Sequence, residues 1–519
     1  MKVLITTSGI GSRLGNLTKY TNKALIRINE KPVISYIIEA YPESTEFVIT
    51  LGYYGELVKE FLSLAYPEKK FEFVQIDKYQ GPGSSLGYSM LQAKNSLQCP
   101  FIFNACDTIV ESGSIPEPSY DWLGGHQRKG GSDSEYRTLM VKGNFVLKIN
   151  EKGELNYDYD YIGLAGIHDY KKFWNALEKI YLIDPNNDQL SDCHAINASK
   201  FTCVEFPMWF DIGNASSLRE TRDFLKKDSL NVLDKPDESI FKIGNSIIKF
   251  FSDENIVRNR FSRANLLKDC VPKITGCTKH FYKYDYVQGN LFSEVATPGS
   301  FKELLKWAKE NLWIPNSSIK KEDFKKNCLR FYREKTLLRL KRFCEEQNVA
   351  DKMDSINETD VPRAESLIKS LDWDWVCDSQ PYGFHGDFIL DNIVKTENSF
   401  KLLDWRQDFD GLIECGDIYY DIGKLYHNLT VNHEIINKKL FKIEVDDKNG
   451  LILCDILTHF RLQECKNVLE NFIKENKFNL KKIKIITSLI WLNMAPLHHY
   501  PFNIFLYYFG RYNLFKGMV

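Results

Sequence analysis

The chain lacks the signatures of several common protein classes. No CxxC pair and no Cys/His set at zinc-ligand spacing occurs, although 12 cysteines are scattered from Cys99 to Cys465. That excludes a zinc ribbon or a thioredoxin-type redox motif, and the irregular spacing reads as reduced thiols of a cytoplasmic protein. There is almost no net charge: 68 Lys and Arg against 69 Asp and Glu leave −1. The basic face that nucleic-acid binding needs is therefore not expected. No clean uncharged apolar run of about 18 residues is present to make a membrane anchor. The most apolar tract, IKIITSLIWLNMAPLHHYPFNIFLYYFG, is broken by Asn493, Pro496, His498, His499 and Pro501 and reads as buried helices. The start, MKVLITTSGIG, is too short in apolar residues for a signal peptide. Internal repeats and low-complexity segments are absent, as are GxGxxG and GK[ST], so neither a Rossmann fingerprint nor a Walker loop is supported.

What is present is an ordinary globular composition, 43% hydrophobic and 26% charged over 519 residues, long enough for two or more domains. The first part alternates: KVLITT, EFVITLG, FEFVQI and PFIFNACD read as strands, and PVISYIIEAY, ELVKEFLSLAY and SSLGYSMLQAKNSL as helices. That order predicts an α/β domain over 1–225, with a parallel sheet, helices on both faces and ligands beyond the carboxyl ends of the strands. The polar stretch DFLKKDSLNVLDKPDES, with Pro236, predicts a linker over 226–238. After it, IFKIGNSIIKFF reads as two strands about Gly244 and Asn245, and helices dominate from Phe301, so 239–519 is expected to pair a small β-rich lobe with a larger helical one.

The loop after the first strand carries Gly9, Gly11 and Gly15 with Arg13 and Lys23. Glycines let the backbone approach a ligand, and the two cations suit a polyphosphate. GIGSRLG, LTKYTNKAL and EKPVI together resemble the signature of sugar-phosphate nucleotidyltransferases. QGPGSSLGYSML, FNACD, LKINEKGE and FPMWFDIGNASSLRE follow in that family's order. The resemblance covers about 1–225 and implies a Rossmann-like nucleotidyltransferase. It implies Arg13 and Lys23 in catalysis, Ser8, Gly9, Gly11, Gly81 and Ser85 at the nucleotide, Lys152 at the substrate phosphate, and Asp107 and Asp211 on Mg²⁺. Ser8, Asn22 and Asn214 depart from the family's usual glycine, proline and threonine.

A second constellation lies in GFHGDFILDNIV, FKLLDWRQDFDG and ECGDIYYDIGKL. A kinase for a small alcohol needs an aspartate to orient and accept the hydroxyl proton, and oxygen ligands to hold Mg²⁺ on ATP. The order His385, Asp387, Asn392, Asp404 resembles the aminoglycoside phosphotransferase and choline kinase superfamily, which has a bilobal, protein kinase-like fold. That resemblance implies Asp387 as the base, Asn392 and Asp404 as metal ligands, Lys249 at the ATP phosphates, and supporting roles for Asp417 and Asp421. Residues 282–292 resemble the hinge. Lys249 has no obvious acidic partner: Arg263 stands where an acid is expected, and Glu254 is a substitute. Trp491, His498, His499 and Tyr500 read either as acceptor pocket or as core, and the cations of RFYREKTLLRLKRF as a solvated face.

A kinase makes a phosphomonoester and a nucleotidyltransferase consumes one. The fusion implies consecutive steps, from a hydroxyl compound and ATP to its phosphate, then with a second NTP to an NDP-linked product. The product is an NDP-sugar for surface polysaccharide or, alternatively, a CDP-alcohol made from a choline-type amino alcohol. A binding protein with decayed sites would have lost metal ligands, whereas Asp107, Asp211, Asp387, Asn392 and Asp404 are all present.

Overall fold

The computed structural model describes residues 1–127, 136–154, 156–225, 235–446 and 448–519. Most of the expected linker, 226–234, lies outside them. The chain divides into two compact units, Met1–Val257 with Thr275–Tyr284, and Arg258–Ile274 with Asp285–Val519.

The first unit is built on four parallel strands, β1 (Lys2–Thr6), β2 (Glu46–Leu51), β3 (Lys70–Gln75) and β4 (Phe101–Ala105), in the order β3-β2-β1-β4. Alternate residues of β1 serve opposite faces. Val3 and Ile5 pack with Ile34 and Ile37 of α1 (Val33–Glu39) and Phe61 and Leu62 of α2 (Gly55–Ala65). Leu4 packs with Met90 of α3 (Leu86–Gln92) and Trp174 of α4 (Tyr170–Ile183). Both faces are covered, which is why the strands read as nearly continuous apolar runs. The sheet is parallel only in this half. Strand Tyr159–Ile167 joins β4 antiparallel, and four more strands extend the sheet to nine. Strands Thr138–Lys142 and Phe145–Asn150 are joined by two residues, a connection that only antiparallel neighbours permit.

A separate sheet holds Glu238–Ile243, Ser246–Phe251, Phe281–Asp285 and Ile274–Cys277. Its first two strands are the expected hairpin, but they belong to the first unit and not to the helical part. The rings of Phe241 and Phe281 lie 5.4 and 6.0 Å from Phe61 of α2. The Lys242 amide donates to the Glu30 carbonyl (2.7 Å), and Lys283 Nζ to the Leu64 carbonyl (2.8 Å).

The second unit is mainly helical. Helix Lys321–Leu329 continues through a π turn, Arg330–Glu334, into Lys335–Gln347. Ile418–Asn428, Leu480–Met494 and Phe502–Met518 pack in its core. The last two carry the apolar tract, and among the described residues no helix is long and apolar enough to cross a membrane. Trp491 is core: it is buried and donates to His427 Nδ1 (2.8 Å).

Arg511, on the last helix, is fully buried. It is ion-paired with Asp354 (2.6 Å) and donates to the carbonyls of Lys352, Val361 and Pro362. Asp354→Ala leaves this guanidinium uncompensated and is expected to cost about 3–5 kcal/mol. Equilibrium denaturation measures it, and a loss under ~1 kcal/mol would mean that the carbonyls alone satisfy the charge.

Candidate functional site

The first constellation forms where β1 and β4 end. Asn22 is fully buried and fixes the loop after β1. Its Nδ2 donates to the carbonyls of Thr7 (2.8 Å) and Tyr53 (2.6 Å), and its Oδ1 accepts from the Ala24 amide (2.8 Å). The position of the family's proline is thus held by three hydrogen bonds, and the short turn Lys23–Leu25 starts from it. Gly11 has a left-handed φ of 69°, and a Cβ there would press on Lys23 and Thr18 at 3.1 and 3.2 Å. A Cβ on Gly52 would strike the Ser8 carbonyl oxygen at 2.5 Å, so that glycine lets the next loop lie against Ser8. Ser8 Oγ lies 2.9 Å from Ser89 Oγ, and Ser85 caps α3 by accepting from the Tyr88 amide (3.1 Å). Ser8 therefore meets the first turns of α3, while Gly9 and Gly81 are exposed in the flanking loops.

Asp107 follows β4. The next strand, Thr108–Val110, pairs antiparallel with Trp209–Asp211, with Thr108 opposite Asp211. The Ile212 amide donates to the Asp107 carbonyl (3.2 Å). This register sets the two aspartates together. Lys23 Nζ is ion-paired with Asp107. Tyr136 and the Gly213 amide donate to Asp211 at 2.9 and 3.1 Å. A Cβ on Gly213 would meet Asp211 Oδ1 at 3.1 Å and the Arg13 guanidinium at 3.3 Å, so Arg13 also faces this pair. Asn214, the third departure, caps helix Ala215–Phe224, as a threonine could.

Burial alone would raise the Asp107 pKa, but the Lys23 ammonium, aided by Arg13, holds it below the usual range. Asp211 is raised, by burial and then by the Asp107 charge. Burial alone would lower Lys23, yet Asp107 outweighs it and keeps the ammonium above its ordinary value. Lys152 stands exposed in the turn after Phe145–Asn150, joined to neither aspartate by a hydrogen bond or ion pair among the described residues.

The second constellation lies in the second unit. Asn392 Nδ2 donates to both the carbonyl and Oδ2 of Asp387, each at 3.0 Å. Lys424, almost buried on helix Ile418–Asn428, pairs with Asp387 Oδ1 at 2.7 Å. Asp404, in the left-handed region at φ 58°, pairs with Arg260 at 3.1 Å. Asp421 accepts from the amides of His385 and Gly386, both at 2.7 Å, and from Trp313 (3.2 Å), clamping the loop. Asp417 takes Ser379 (2.7 Å), Tyr332 (2.9 Å) and the Tyr419 amide (3.0 Å), a structural position. Arg263 is buried against the Phe384 ring and donates to the carbonyls of Phe384, His385 and Arg406, holding the loop from outside. Burial pushes His385 down to about 4, so it is neutral at physiological pH, and pushes Asp421 up to about 6. Burial alone would raise Asp387, but Lys424 holds it below the usual carboxylate range. Lys249 is buried on Ser246–Phe251 in the first unit, and Glu254 is exposed.

Among the described residues no group of three or more His, Cys, Asp or Glu side chains forms a metal cage. The donor sets that do occur are a carboxylate pair in the first unit and a carboxamide with a carboxylate in the second. Both are hard-oxygen sets, suited to a cation that keeps waters and shares phosphate oxygens.

No family model matches the chain. A choline-phosphate cytidylyltransferase of Streptococcus pneumoniae is 32% identical over 116 residues, which is 22% of this chain and 47% of that protein. A probable glucose-1-phosphate cytidylyltransferase of Bacillus subtilis is 35% identical over 122 residues, 23% of this chain and 45% of that one. The chain thus spans less than half the length of these curated relatives. The N-terminal region matches nucleotidyltransferases. Two solved structures align with this nucleotidyltransferase-like region. The CTP:phosphocholine cytidylyltransferase of Streptococcus pneumoniae has TM-score 0.36 and 21% identity, covering 43% of this chain and 99% of that one. The inositol-1-phosphate CTP transferase of T. maritima has TM-score 0.37 and 18% identity, covering 44% and 97%.

Sequence reasoning missed Lys424, Arg260 and Tyr136. Lys424 had a signal: it follows Asp421 by three residues in YYDIGKL, one helical turn on, and so faces the same way.

Lys23→Met removes the cation that balances Asp107 and leaves two carboxylates facing each other. The expected loss is roughly 2 kcal/mol at pH 7. In the wild type the depressed Asp107 pKa contributes stability above the unfolded value that is lost on acidification; in the variant that pKa is raised and acid relieves the repulsion. The deficit should therefore narrow from pH 7 to pH 4 in thermal melts, and a deficit constant with pH would mean that Lys23 does not balance Asp107.

Proposed function

We propose that the chain is a bifunctional enzyme: a kinase half phosphorylates a small hydroxyl compound, and a nucleotidyltransferase half joins the resulting phosphomonoester to an NTP. The observation that carries the reading is the register that sets Asp107 beside Asp211 at the strand ends, with Lys23 and Arg13 facing them. Joining a phosphomonoester to an NTP brings two polyanions together, and this is a place where such charge can be met. A phosphomonoester oxygen attacks the α-phosphorus, the bond from that phosphorus to the bridging β-oxygen breaks, and pyrophosphate leaves with its charge facing Arg13. The attacking group is already ionised, so no strong general base is needed. Lys23 keeps Asp107 charged and in place. Mg²⁺, when bound by Asp107 and Asp211, supplies Lewis-acid neutralisation of the phosphates.

In the second unit Asp387 orients the acceptor hydroxyl and takes its proton as oxygen bonds to the γ-phosphorus and ADP leaves. Lys424 keeps this carboxylate ionised and weakly basic, which favours orientation over early deprotonation. Asn392 and Asp404 are the oxygen ligands for the ATP-bound Mg²⁺. Both curated relatives are cytidylyltransferases by name, which supports CTP as the second nucleotide. The product we favour is an NDP-sugar for surface polysaccharide. The pneumococcal relative, named for choline phosphate, favours a second reading in which the product is a CDP-alcohol.

The test is mass spectrometry of the full chain with ATP, Mg²⁺, each of CTP, UTP, GTP and dTTP, and a panel of sugars and amino alcohols. Asp107→Ala should abolish the NDP-linked product and leave the phosphomonoester to accumulate. Asp387→Ala should lower phosphorylation about 10²–10⁴-fold and leave coupling of a supplied phosphomonoester intact. Loss of both steps in either variant would sink the division of labour.

A further inference from the structure

The cations of RFYREKTLLRLKRF do not form one solvated face. Lys341 and Arg342 are exposed, but Lys335 and Arg339 are half-buried, one turn apart beyond the π turn Arg330–Glu334. Such turns recur at functional sites because they re-aim the side chains that follow. Arg406, two residues past Asp404, comes to the same place. Lys335 Nζ lies 4.5 Å from the centre of the Phe331 ring, and Arg406 Cζ lies 5.0 Å from it. Tyr420 stands edge-on to that ring at 4.9 Å, on the helix that carries Lys424 to Asp387. The cluster is therefore continuous with the Asp387 site.

Among the described residues no carboxylate lies within ion-pair distance of Lys335, Arg339 or Arg406. Asp410 is engaged by Arg330 (2.7 Å) and Asn327, and Asp408 Oδ1 by the Gly411 amide (2.9 Å). Arg339 is steadied by the Asn493 carbonyl (3.1 Å). Burial lowers the pKa of Lys335 to about 6, with Arg406 and Arg339 adding repulsion, and burial with Arg406 lowers that of Arg339 as well. Three crowded cations half out of water are costly unless an anion joins them.

We propose that the acceptor at the Asp387 site carries an anionic group, a carboxylate or a phosphate, that docks on Lys335, Arg339 and Arg406. This rests on the kinase reading above and decides between its two products. A choline-type cation would be repelled here, and the Phe331 face on which it could stack is already taken by Lys335 and Arg406. The reaction stays balanced: R–OH and ATP give R–O–phosphate, ADP and a proton, with the docked anion unchanged.

The test is calorimetric titration of the full chain, with a non-hydrolysable ATP analogue and Mg²⁺ saturating, using D-glycerate, inorganic phosphate and choline as probes. Glycerate reports a carboxylate partner and inorganic phosphate a phosphate one. At least one anion should bind in the wild type, weaken tenfold or more in Arg339→Gln and Lys335→Met, and recover in Arg339→Lys. Choline should not bind. Phosphoryl transfer from ATP to water and to a panel of hydroxy acids is measured alongside. Transfer lost in Asp387→Ala without Arg339-dependent anion binding overturns the proposal. So does an Arg339→Gln variant that raises KM for ATP and leaves anion binding intact, which would place the cluster at ATP. Arg339-dependent anion binding without any Asp387-dependent transfer overturns the kinase reading instead.

Discussion

A carboxylate kept charged while half out of water needs a cation at contact distance, and both constellations are organised around that need. Lys23 meets Asp107, and Lys424 meets Asp387. Each lysine is placed by something else. Lys23 sits on a turn that exists because Asn22 ties it to two carbonyls. Lys424 is delivered by a helix whose Asp421 also grips the loop bearing Asp387. In each unit, therefore, the residue that does chemistry and the residue that sets its charge hang from one local scaffold. Lysine and aspartate side chains are long and short partners respectively, so a small shift of either scaffold changes the contact before it changes the fold.

Much of this was legible in the sequence. The four parallel strands, their helices and the Gly244 hairpin follow from periodicity, because apolar residues at period 2 and 3.6 leave few alternatives. The pairing of Asp107 with Asp211 was implied by motif resemblance, not by spacing, since 104 intervening positions (211 − 107) say nothing of register. The antiparallel half of the sheet was not foreseen: its short strands carry weak alternation and no helical segments to mark parallel crossings. Asn22 and Asn214 looked like departures that disturb a loop. They are conservative in physical terms, because each side chain accepts from backbone amides at the start of a helical turn.

The cations at 330–343 show where one-dimensional reading fails. On an ideal helical wheel they spread around the surface. A π turn shifts the phase of everything after it, and nothing in the composition of RFYRE announces one. Arg263 is a similar case. Standing where an acid was sought, it serves as a backbone clamp, and burial lowers its pKa to about 9 while it remains charged at neutral pH.

The hairpin at Glu238–Phe251 gives the polar stretch before it a different meaning. Phe241 and Phe281 fill their share of the core only against Phe61 of α2. A chain severed between 226 and 238 would bare one ring on one fragment and two on the other. Composition marks that stretch as a seam, but apolar packing has stitched across it. The two halves are therefore not interchangeable cassettes: a recombination event that traded one without the other would have to replace an aromatic interface along with a catalytic function.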